Sequence, residues 1–121
     1  MKLNHINLPV KDVRAASIFF KTYFDFKSAD IKENDTLSIL KGADDFTLVL
    51  MSEKLNENGN NAYPDAFHIG FFQDTDAKVT QFYQRLKNGG VEIGQEPRLI
   101  RKTFGFYFHF QNVLIEVATN N

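Results

Sequence analysis

One plan, written twice within 121 residues, constrains this chain more than any other feature. A short apolar run holding a histidine, "LNHINLPV", leads into the helical "VKDVRAASIFF" and then into three strand-like runs. The order then recurs. "AFHIGFF" places His68 in a second apolar run, "QDTDAKVTQFYQRLKNGG" reads as a helix, and strand-like runs follow. A pattern of strand, helix and three strands, repeated, predicts an α+β chain of two βαβββ modules. Module one spans 1–53, a polar Gly- and Asn-rich linker 54–65, and module two 66–121 of one domain.

The helices carry their own punctuation. Asp12 can cap the first, in which Val13, Ala16, Phe20 and Phe24 recur at helical spacing. Asp74 or Thr75 can cap the second, whose stripe is Val79, Phe82, Tyr83 and Leu86, and Gly89–Gly90 ends it. Strands are expected over 29–33, Leu37–Lys41 and 46–51 in the first half. In the second they are expected from 91–93 onward, then over Thr103–Phe110 and 113–118.

Side chains alternate across a strand, so parity sorts each run into two faces. Ile6, Leu8 and Val10 share one face of the first strand, and His5 lies on the other. Phe67, Ile69 and Phe71 share a face opposite His68. In the closing strand Val113, Ile115 and Val117 align, and Glu116 lies opposite. If the helices cover the aliphatic rows, the two histidines and the glutamate all stand on the uncovered faces. A lone strand histidine is usually a packed, hydrogen-bonded residue. Two at matching positions of a repeat, with a carboxylate of the same parity, have the composition of a 2-His-1-carboxylate site.

Composition excludes other chemistries. There is no cysteine, so disulfides, thiolate metal sites and cysteine nucleophiles are ruled out. A net charge of −1 from 14 basic and 15 acidic residues gives no nucleic-acid or membrane surface. With no signal peptide or membrane span expected, the chain is assigned to the cytoplasm. Thirteen Phe and four Tyr fit either a well-packed core or an aromatic-lined cavity.

Taken together, "LNHINLPVKDVRAASIFF", "FHIGF" and "FYFHFQNVLIEVA" resemble the vicinal oxygen chelate superfamily, over essentially the whole chain. That superfamily includes glyoxalase I, fosfomycin-resistance and bleomycin-resistance proteins, and extradiol dioxygenases. The resemblance implies modules forming an incomplete barrel around a central cavity, a small-molecule substrate or ligand, and a homodimer. It implies that His5, His68 and Glu116 ligate a divalent metal ion (Fe, Mn, Co, Ni or Zn). Four-ligand members add a carboxylate on the last strand of module one, where this chain has Val49. The family's usual Asp-Pro-Asp-Gly-Asn turn before the last ligand is replaced by "HFQNV". A two-residue hairpin at Gln111–Asn112 would set Tyr107 opposite Glu116 and His109 opposite Leu114. Tyr107 and His109 are then candidate catalytic residues, and Arg101 of "PRLIRK" a candidate substrate-binding residue. The activity implied is that of a metalloenzyme stabilising an oxyanion, as a lyase, transferase or dioxygenase. The alternative is a bleomycin-resistance-like protein that binds its ligand without catalysis.

Overall fold

The structure, a computed structural model, describes residues 1–29, 32–59 and 62–119. The chain divides into two compact units, 1–61 and 62–121. Each is a four-stranded sheet with one helix, an α+β arrangement of open sheets.

In unit 1, β1 (His5–Val10) runs into α1 (Val13–Tyr23), followed by β2 (Lys27–Ser28), β3 (Leu37–Lys41) and β4 (Thr47–Ser52). The sheet order is β1-β4-β3-β2, with β1 and β4 parallel and the other pairs antiparallel. α1 begins where the Asp12 side chain accepts from the Ala15 amide at 3.0 Å. Its inward residues, Val13, Ala16, Phe19 and Phe20, are buried with Leu8, Val10, Leu40, Leu48 and Leu50. Short 3-10 turns occupy Ala43–Asp45 and Glu53–Leu55. The second of these starts the stretch read as a linker, of which Asn60 and Asn61 lie outside the described residues.

The strand expected over 29–33 is replaced by the shorter β2, two residues earlier; Asp30 and Ile31 lie outside the described residues. The reason is visible in Glu33. Its Oε1 accepts from Ser17 Oγ and Ser28 Oγ at 2.8 Å, Ser38 Oγ at 3.0 Å and Lys21 Nζ at 3.3 Å. Ser17 and Ser38 are buried, so this carboxylate satisfies hydroxyls at the edge of the core. Glu33 is thus fixed by its side chain, while the Ala29 amide donates to the Ile39 carbonyl at 3.0 Å.

Unit 2 repeats the plan with β5 (His68–Gln73), α2 (Asp76–Asn88), β6 (Arg98–Ile100), β7 (Thr103–Phe110) and β8 (Val113–Thr119). Its order is β5-β8-β7-β6, again with only the first and last strands parallel. Thr75 caps α2, accepting from the Lys78 amide at 3.1 Å. Val79, Phe82, Tyr83 and Leu86 bury against Phe106, Phe108, Val113, Ile115 and Val117, with Tyr83 edge-on to Phe106 at 5.4 Å. The strand expected from 91–93 begins only at Arg98. The Val91 amide donates to the Leu86 carbonyl at 3.0 Å, so its backbone finishes the helix instead.

Candidate functional site

The helix of unit 2 covers the Val113, Ile115 and Val117 face, leaving the other face of that sheet open. β7 and β8 meet at the Gln111–Asn112 turn, with φ of 47° and 71°. Two left-handed residues match the right-handed twist of a two-residue hairpin, and they hold the expected register even with glutamine at the first position. Tyr107 therefore pairs with Glu116, His109 with Leu114 and Gly105 with Ala118. On the other side of β8, Leu114 pairs with His68 and Glu116 with Gly70. The open face is built of rows: His68, Leu114, His109; then Gly70, Glu116, Tyr107.

Three of the six residues singled out from sequence thus come together. His68 Nε2 stands 3.5 Å from Glu116 Oε1, and its ring meets the Tyr107 ring edge-on at 5.7 Å. Tyr107 donates a hydrogen bond to Glu116. Its phenol is held above its ordinary pKa by burial first, then by that hydrogen bond and the carboxylate's charge, while Arg101 pulls the other way.

The other nitrogen of His68 fixes the chemistry of the pair. Nδ1 lies 3.0 Å from the Ala66 carbonyl, which can only accept, so Nδ1 carries the proton. In the neutral ring the Nε2 lone pair then faces a carboxylate oxygen, and in the protonated ring Nε2–H donates to it. The two atoms stand 3.5 Å apart, a spacing that a shared proton or a cation between them would satisfy. Two donor atoms each about 2.1 Å from one ion stand about 3.4 Å apart at a tetrahedral angle. The donor set and its spacing fit a divalent ion, with the Ala66 carbonyl orienting the imidazole behind it. Within unit 2 no third histidine, aspartate or glutamate joins the pair among the described residues.

The remaining three stand elsewhere. His5 opens β1 of unit 1, exposed, with Nδ1 2.7 Å from Asn4 Oδ1. It has the same local form as His68, with one nitrogen tied to a nearby oxygen and Nε2 left over. His109 is exposed one row along from Tyr107. Arg101 lies in the turn between β6 and β7.

Sequence reading missed part of this surface. A cavity of about 490 Å³ is lined by Tyr107 and His109 together with Glu92, Ile93, Gly94 and Phe108. No motif marks 92–94; they reach β7 only because the chain leaving α2 does not form a strand there. Gly70 shares the His68 face of β5. A side chain on it would meet Glu116 Oε1 at 3.5 Å, so the carboxylate lies over a bare stretch of β5.

A helix-backed open sheet of order first-last-third-second, occurring twice, with a histidine on each leading strand, defines a paired βαβββ protein of the vicinal oxygen chelate type. The Glyoxalase/Bleomycin resistance protein/Dioxygenase superfamily profile matches residues 2–115, and the chain belongs to that superfamily. Its fold is similar to that of a possible glyoxalase from Bacillus cereus, at 31% identity over 97% of each chain, with a TM-score of 0.80. A genomically encoded fosfomycin resistance protein from Listeria monocytogenes matches at 25% identity over 100% of this chain and 94% of that one, TM-score 0.74. A lactoylglutathione lyase from Agrobacterium tumefaciens shares the fold at 17% identity, over 98% and 93% of the chains, TM-score 0.76. Among curated proteins, no sequence matches.

Proposed function

We propose that the chain is a divalent-metal-dependent enzyme acting on a small molecule, in which His5, His68 and Glu116 are the metal ligands. The observation that carries this reading is the His68–Glu116 pair, with an imidazole nitrogen and a carboxylate oxygen 3.5 Å apart. The match of His5 to His68 in strand position and in its tethered Nδ1 supports the third ligand. When bound, such an ion supplies Lewis acidity toward substrate oxygens and a developing oxyanion. The residues of the chain do the rest. Ala66 holds the His68 ring in place, and Glu116 accepts from Tyr107. The Tyr107 O–H is committed to Glu116 and can donate to a substrate oxygen only on leaving that carboxylate, and His109 is the nearest further imidazole for proton transfer. Lyase, transferase and dioxygenase outcomes all fit this arrangement.

Val49 favours a second reading, a bleomycin-resistance-like binding protein without turnover, because it leaves unit 1 without an ionisable group at the place of Glu116. Metal retention separates the two. Purified protein loaded in turn with Mn, Co, Ni and Zn should keep at least one after desalting. His5→Ala, His68→Ala and Glu116→Ala should each lower its affinity at least about tenfold. A wild type that keeps none of the four, nor Fe(II) loaded under anaerobic conditions, rules out the enzyme reading. The reading includes a homodimer, and a monomer in sedimentation at micromolar concentration would remove that part.

A further inference from the structure

His68 faces an oxygen with each ring nitrogen, and a neutral imidazole has one proton to offer between them. Nδ1 lies 3.0 Å from the Ala66 carbonyl oxygen, and Nε2 lies 3.5 Å from Glu116 Oε1. The carbonyl and the ionised carboxylate can only accept. With the proton on Nδ1, the Nε2 lone pair is free for an ion. With it on Nε2, the ring offers Glu116 a donor and turns its lone pair to the backbone. The choice between the two depends on how firmly Ala66 is held.

What holds Ala66 lies just before β5. The Phe67 amide donates to the Pro64 carbonyl at 3.0 Å, closing a turn with Asp65 and Ala66 at its centre. Neither central residue has positive φ, as in a type I turn. Pro64, Asp65 and Ala66 are all exposed, so burial does little to keep that hydrogen bond closed. The rings on either side do more. Tyr63 and Phe67 are half-buried and stack at 4.9 Å with 16° between their planes. Pro64 prepares the stack, because its ring fixes its own φ and confines Tyr63 before it to extended backbone. Phe67 immediately precedes His68 at the head of β5, so the stack ties the turn to the strand that bears the imidazole.

We propose that Tyr63 is a positioning residue for His68: stacked on Phe67, it fixes the turn whose Ala66 carbonyl keeps the imidazole proton on Nδ1 and leaves Nε2 open toward Glu116. This rests on the reading of His68 as a metal ligand and adds what decides which of its nitrogens can serve. A ring pair of this kind biases the equilibrium it acts on by a factor of about 2 to 10.

The test reads the tautomer directly, on metal-free protein at about pH 9, where an ordinary histidine is neutral. Proton–nitrogen correlation spectra of the rings give the ratio of Nδ1–H to Nε2–H, with the His68 signals assigned by their loss in His68→Gln. Wild type and Tyr63→Phe are expected to hold the proton on Nδ1. Tyr63→Ala is expected to move the ratio at least about threefold toward Nε2–H and to weaken metal binding by a similar factor. If Tyr63→Ala does not fold, Pro64→Gly loosens the same turn and is held to the same shift. A wild-type proton on Nε2 overturns the proposal, as does an alanine variant with the wild-type ratio. So does a phenylalanine variant that shifts as far as alanine. Metal retention by the wild type is measured separately: its absence removes the metalloenzyme and leaves the tautomer ratio to decide the role of Tyr63.

Discussion

Val49 and Glu116 hold the same place in their respective units. Val49 pairs with Asn7, two residues after His5, and Glu116 pairs with Gly70, two residues after His68. On their other sides Val49 meets Ile39 where Glu116 meets Tyr107. The repeat has kept its registers while one unit holds a carboxylate–phenol pair and the other two aliphatic side chains.

That equivalence makes Val49→Glu informative. Under the metal reading the new carboxylate adds a fourth oxygen ligand and tightens metal binding. Coordination then offsets much of the cost of burying a charge, which is several kcal/mol when unpaired. Without an ion to meet, the variant should lose about 2–4 kcal/mol of stability with no gain in metal affinity. Metal affinity and melting, measured together, distinguish the outcomes.

Glu33 predicts a pH dependence. Burial alone would push its carboxyl up, but hydrogen bonds from Ser17, Ser28, Ser38 and Lys21 outweigh it and lower the pKa from 4.5 to about 2. A depressed carboxyl stabilises the fold fully above its unfolded value, and that contribution is lost as pH falls toward the folded one. The window therefore runs from pH 4.5 down to about 2, and the loss is about 2–3 kcal/mol. Urea melts across this range should show Glu33→Gln losing less stability on acidification than wild type. Parallel losses in the two proteins would refute the assignment.

Gly105 is required by close approach. A Cβ there would lie 2.3 Å from the Val117 carbonyl oxygen and 2.7 Å from the Ala118 Cβ, distances no rotamer can relieve. Gly105→Ala should cost about 2–4 kcal/mol and disturb the β7–β8 register on which Tyr107 and Glu116 depend. Denaturant midpoints and the β8 amide shifts report both effects; a variant as stable as wild type would show that the strands can separate there.

What the sequence reveals depends on how local the cause is. Helix starts at Asp12 and Thr75 are written within three residues of the cap, and both are where the residues indicate. The pairing of Tyr107 with Glu116 follows from counting back across a two-residue turn. The limits of β2 and β6 differ from those expected because hydrogen bonds that strand patterning does not show take over: a glutamate gathering three serines, and an amide closing a helix. Glu92, Ile93 and Gly94 line a cavity with no pattern of their own. The left-handed backbone of Arg101, at φ 57°, was hidden for a different reason, since arginine is not a residue that announces such a turn.

The parallel pairing of β5 with β8 has a consequence for how the chain is made. β8 lies between β5 and β7 in the sheet, so the strand of unit 2 synthesised last is an interior one. Until it leaves the ribosome, β5 has no neighbour to pair with, and His68 sits on a strand that cannot yet be held. A nascent chain stalled after β7 would expose two open edges to other chains. Because Glu116 lies on β8, the candidate centre and the sheet around it are completed by the same late event.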